Sequence, residues 1–72
     1  MRGAEFVRRV RKLGRARGIS VQFWPERGKG SHGTLYFGER RTVVRNLKDE
    51  LKTGTLHAML NQLGLRLEDL EQ

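Results

Sequence analysis

The chain has only two histidines, His32 and His57, and the first sits where it could do chemistry. His32 lies within "GKGSHG", residues 28–33, a run of small residues that precedes alternating strand-like sequence. Glycines let a phosphate approach backbone N–H groups closely. Arg27 and Lys29 flank the run, and Arg40, Arg41 and Arg45 follow it. Histidine is the side chain whose ordinary pKa lies nearest neutrality, so it can take up a proton and release it again. RNA carries its own nucleophile, the 2′-hydroxyl. A base that removes that proton, beside groups that hold the phosphate, can cut the strand with no metal. The residues alone leave another reading open, in which His32 is simply an exposed side chain in a polar turn.

Other chemistries fit less well. "GKGSHG" satisfies the G-x-G-x-x-G pattern, with Asp49 and Glu50 at about the right remove for a dinucleotide site. That motif needs a helix directly after the turn, to face the pyrophosphate with its N-terminus. Here a strand follows. A kinase glycine loop does lie between strands, but 72 residues cannot hold the rest of a kinase. With two histidines far apart and no cysteine, the usual zinc ligand sets cannot be filled, and no metal or small-molecule cofactor is expected. Ser31, His32 and Asp49 could be written as a triad. However, adjacent residues on an extended segment point in opposite directions, and there is no nucleophile elbow.

Charge points the same way as the turn. Fifteen Lys and Arg oppose eight Asp and Glu, a formal +7. Residues 1–48 hold thirteen basic groups and three acids, a net +10; residues 49–72 hold two and five, a net −3. A concentrated cationic region suits a polyanion, because each neutralised phosphate releases condensed counterions. Without cysteine there is no disulfide framework. No apolar run is long enough for a signal peptide or membrane span, so the expected location is the cytoplasm.

The elements that must position these residues are legible in the periodicity. Over 4–17, Phe6, Val10 and Leu13 form one helical stripe with Val7 at its edge, and Arg8, Arg11, Lys12 and Arg15 fall opposite. Gly18 supplies a stop. "ISVQFW", residues 19–24, alternates, with Ile19, Val21 and Phe23 inward, and Pro25 ends it. "GTLYFG" repeats the pattern with Leu35 and Phe37 inward, and Gly38-Glu39 reads as a type II′ turn into "RRTVVR". Trp24 and Tyr36 fall on the outer face, where cross-strand packing is the expected role and base stacking the alternative. Over 53–64, Thr53 is the expected cap, Leu56, Met59, Leu60 and Leu63 form the stripe, and Gly64 closes the helix. His57 rides at the edge of that stripe. Leu67 and Leu70 punctuate a short acidic tail. The expectation is one α+β domain over residues 1–72: α-β-β-β-α, a three-stranded antiparallel sheet with two helices on one face, plus a short C-terminal helical tail. This is the element order of the double-stranded-RNA-binding fold.

Against that layout, "GKGSHGTLYF…TVV…LKTGTLHAMLNQLGL" resembles the HicA family of toxins from prokaryotic toxin–antitoxin pairs. The resemblance rests on Gly30-Ser31-His32, the strand pair after it, and "KTGTLHAMLNQLGL" from Lys52 to Leu65. The last is similar to the family's K-x-G-T-L-x-x-I-L-x-x-x-G-L helix. The first helix, with its Leu13-Gly14, also fits, while residues 15–27 are longer than in compact members. The resemblance implies a double-stranded-RNA-binding-like fold, mRNA cleavage, and neutralisation by a HicB-type antitoxin. The family's catalytic histidine falls on His32. The function expected is therefore a metal-independent endoribonuclease with His32 as general base, and Arg27, Lys29, Gly30, Ser31, Arg40, Arg41 and Arg45 as its RNA-binding residues. Two alternatives use the same basic surface: a non-catalytic RNA-binding module, and a small protein that docks an acidic partner.

Overall fold

A computed structural model describes residues 1–27 and 32–71. The elements run α1 (Gly3–Arg17), β1 (Val21–Pro25), β2 (Gly33–Phe37), β3 (Arg40–Val44), α2 (Thr53–Leu63) and α3 (Leu67–Leu70). The strands form one antiparallel sheet in the order β1-β2-β3. This is the expected α+β layout, with the acidic tail contributing a single helical turn.

Each strand has one face toward the helices. On the central strand β2, Gly33, Leu35 and Phe37 are buried, while Thr34 and Tyr36 between them are not. The core joins Leu35, Phe37 and Val44 of the sheet to Phe6, Val7, Val10 and Leu13 of α1, Met59, Leu60 and Leu63 of α2, and Leu65 and Leu70 beyond. Val21 and Phe23 pack against its rim. The basic residues of α1 opposite its apolar stripe (Arg8, Arg11, Lys12 and Arg15) are all exposed. Thr42 is a polar residue in a core-facing position, and its hydroxyl lies 2.5 Å from Gln62 Oε1 on α2. That bond answers the cost of burying a hydroxyl and fixes β3 against α2.

The connections follow local chemistry. Residues Phe37 and Arg40 pair across the two-residue turn Gly38-Glu39. Gly38 has φ of 60° and, among the described residues, no non-glycine residue has a positive φ, which is the type II′ pattern and not type I′. Pro25 joins the end of β1 instead of stopping before it; β1 is an edge strand, where a missing N–H costs the ladder little. Helix α2 starts at Thr53, but its cap position is Lys52, and no side chain caps it. Thr53 already lies inside the first turn, so the expected cap is one residue out of place. The first N–H groups of α1 are met from afar: Gly3 donates to the Asp49 carbonyl at 3.1 Å and Ala4 to that of Leu47 at 2.9 Å. These bonds fasten the segment after β3 to the start of α1. At the other end, the Asp69 carboxylate accepts from the Arg66 N–H and the Arg17 guanidinium, each at 2.9 Å. The Arg66 bond above all holds its pKa below the ordinary value of 3.8.

Candidate functional site

His32 stands immediately before β2, at the loop end of the β1–β2 hairpin. The last ladder pair is Pro25 with Gly33, and one step beyond it Glu26 N–H donates to the His32 carbonyl at 2.8 Å. The pairing also brings the side chains together: His32 Nε2 lies 3.5 Å from Glu26 Oε2. The imidazole is 28% exposed, so it is partly sheltered yet reachable from solvent. A carboxylate beside one ring nitrogen favours the tautomer that carries its proton there. Sequence spacing alone does not bring Glu26 into the site; the signal is cross-strand pairing, readable only once the hairpin register is known.

Gly33 explains how closely this end of the hairpin is packed. A β-carbon added there would lie 2.5 Å from Phe23 Cζ and 2.7 Å from the Trp24 carbonyl oxygen. The backbone atom cannot give way cheaply. Gly33→Ala is therefore expected to cost about 1–3 kcal/mol, the usual range for overpacking. Urea denaturation of the two proteins checks it, and a loss below about 0.5 kcal/mol, the range of ordinary surface changes, would count against this packing.

The cationic residues are distributed more widely than their spacing suggests. Arg27 is exposed and follows Glu26 directly. Lys29, Gly30 and Ser31 lie outside the described residues. Arg40 and Arg41 part company, because neighbours on a strand point to opposite faces. Arg40 turns toward the helices: a β-carbon on Gly64 would lie 3.0 Å from its Nε and Cζ. Its guanidinium thus sits at the C-terminus of α2, where a cation is favoured by the helix dipole. Arg41 pairs with Tyr36 on the outer face. Arg45 leaves β3 beside a shallow depression that it lines with Asp49, Glu50 and Lys52, so acids share its surroundings. A second cationic surface, formed by Arg8, Arg9, Lys12 and Arg15, lies on α1 next to α3.

His57 is exposed on α2, in the helical layer, and lines a depression with Leu60, Asn61 and Leu65. It does not join His32. Among the described residues no three His, Cys, Asp or Glu side chains gather closely enough to hold a metal ion. Among them also, no helix is long and apolar enough to cross a membrane. Comparison of the chain with protein-family models, with curated proteins and with solved structures finds no match.

Proposed function

We propose that this protein is a HicA-like, metal-independent endoribonuclease in which His32 is the general base. The observation that carries the reading is the placement of His32: part-exposed at the loop end of the hairpin, with its imidazole beside Glu26 and its backbone tied to the same residue. Such a histidine is held in place and open to a strand laid across the hairpin end. Neutral His32 accepts the proton of an RNA 2′-hydroxyl, and the oxygen attacks the adjacent phosphorus. The bond to the 5′-oxygen breaks, that oxygen takes a proton from water, and the products are a 2′,3′-cyclic phosphate and a 5′-hydroxyl. Arg27, with Lys29 and the N–H groups of the glycine-rich run, stabilises the charge that builds on the phosphorane. One positioned acid–base group contributes about 10²–10⁴-fold, so the enzyme is slow. Its messages are cut in the cytoplasm, and a HicB-type antitoxin that covers residues 27–45 silences it.

The test is incubation of the pure protein with RNA in EDTA, followed by analysis of the new ends. Cyclic-phosphate ends, and resistance of a strand carrying a 2′-deoxy residue at the cut, support the enzyme. Binding without cleavage leaves a non-catalytic RNA-binding module. Failure to bind any nucleic acid at low salt leaves a protein that docks an acidic partner.

Affinity for RNA should fall steeply with salt, since the protein grips phosphates. Arg41→Glu should weaken binding about equally for all sequences. It should also reduce the slope of log K against log salt by about 1–2, because one phosphate is no longer neutralised and a repulsion takes its place. A slope near zero in the unmodified protein would contradict a cationic interface.

A further inference from the structure

We infer that the outer face of the sheet is a stacking platform for single-stranded RNA, with Trp24 and Tyr36 receiving bases on a track that leads to His32. This deepens the ribonuclease reading, and rests on it for the identity of the strand. The helices pack their core residues against the other face of the sheet, so this face is uncovered. Trp24 is 61% exposed, and with Val43 it makes up the large exposed hydrophobics among the described residues. Cross-strand packing does not account for an indole left so far in water. Its Nε1–H donates to Gln22 Oε1 at 2.9 Å, which ties the ring to its own strand and restrains it.

The register arranges this face in rows. Gln22, Tyr36 and Arg41 form one, and Trp24, Thr34 and Val43 the next. One step further along both strands of the hairpin come Glu26 and His32, joined by their backbone bond. Successive rows are about 6.6–6.8 Å apart, from the rise of two strand residues. Tyr36 separates two shallow depressions. Trp24, Gln22 and Ser20 line one, and Arg41, Thr34 and Val43 line the other. Each therefore has an aromatic wall and polar hydrogen-bonding groups. The two rows contain no acid and one arginine, which suits a phosphate backbone.

Those features select the occupant. An aromatic side chain on an open sheet face stacks an unpaired base of any sequence, whereas bases within a duplex are already stacked. A stable protein–protein interface buries about 800 Å² per partner around a desolvated apolar centre. Two exposed apolar side chains among polar ones do not supply that centre. The face fits a strand of unpaired nucleotides whose scissile phosphate comes to rest at the His32 end.

Trp24 is the chain's sole tryptophan, so its fluorescence reports on this face alone. The probe is a single-stranded 2′-O-methyl oligoribonucleotide, which binds without offering a nucleophile. It should quench Trp24 emission in saturable fashion. By anisotropy of a labelled oligonucleotide, Trp24→Ala should lose on the order of tenfold to a hundredfold in affinity. Trp24→Phe should retain most of it. Because stacking releases few counterions, Trp24→Ala should leave the salt slope unchanged, unlike Arg41→Glu. Duplex RNA should bind with little quenching. Unchanged emission on binding, together with full affinity in folded Trp24→Ala, overturns the platform even if His32-dependent cleavage persists. Quenching and Trp24-dependent affinity without any cleavage leave the platform standing and overturn the nuclease. A Trp24-dependent dimer that ignores RNA would assign the face to a second copy of the chain, and would also overturn the proposal.

Discussion

Replacing His32 with alanine should lower the single-turnover rate of RNA cleavage in EDTA by about 10²–10⁴-fold, the contribution of one positioned acid–base group. The variant should stay folded, because His32 lies outside the core and such residues usually shift stability by about 0.5 kcal/mol or less. Affinity for the uncleavable oligonucleotide should change little, since the loss falls on the chemical step. His57→Ala is the matched control. It removes the other imidazole from an exposed position on α2, and cleavage should continue at the original rate. Melting curves and single-turnover rates for both variants decide the matter. Full activity in folded His32→Ala would remove His32 from the chemistry and leave the hairpin end a phosphate-binding feature.

Phe6→Ala should be the most damaging single truncation in the core. Phe6 is the largest of the fully buried side chains, at 0% exposure on the sheet-facing side of α1. Truncating a buried phenylalanine costs about 3–5 kcal/mol through lost transfer energy and the cavity left behind. A domain of 72 residues has roughly 4–11 kcal/mol in all, at the usual 0.05–0.15 kcal/mol per residue. The variant should therefore unfold at a much lower urea concentration than the unmodified protein. Val43→Ala gives the contrast. Val43 is 45% exposed on the outer face, so its loss should stay within about 0.5 kcal/mol. Equal costs for the two would mean that the outer face is also covered, contrary to the packing described.

Much of this fold can be read along the chain because its elements obey short-range periodicities. The stripe of Phe6, Val10 and Leu13 marks α1, and all three side chains are buried. Alternation marks the strands, and Gly38-Glu39 marks the hairpin that joins Arg40 to Phe37. Gly64 closes α2 in the left-handed conformation expected of it. These features depend on residues within a few positions of one another, where backbone sterics and the helical or strand repeat decide the outcome. The cap of α2 is a local feature that spacing misplaces: the helix already includes Thr53, and the cap position falls to Lys52.

The candidate site is a different matter. His32 is conspicuous for its glycine-rich setting and its basic neighbours, which are properties of the sequence. Its pairing with Glu26 is not, because the register of β1 against β2 sets it, through the ladder that ends at Pro25 and Gly33. Arg40 and Arg41 are consecutive in the chain, and spacing groups them together. The sheet sends one to the end of α2 and the other to the outer face. Alternation puts Trp24 and Tyr36 on one side of the sheet. Whether anything covers them depends on where α1 and α2 pack, which no local pattern encodes. Composition and periodicity determined which residues could act and which elements carry them; only the packing of both long helices on one face decided which side chains meet, and which aromatic surface is left uncovered.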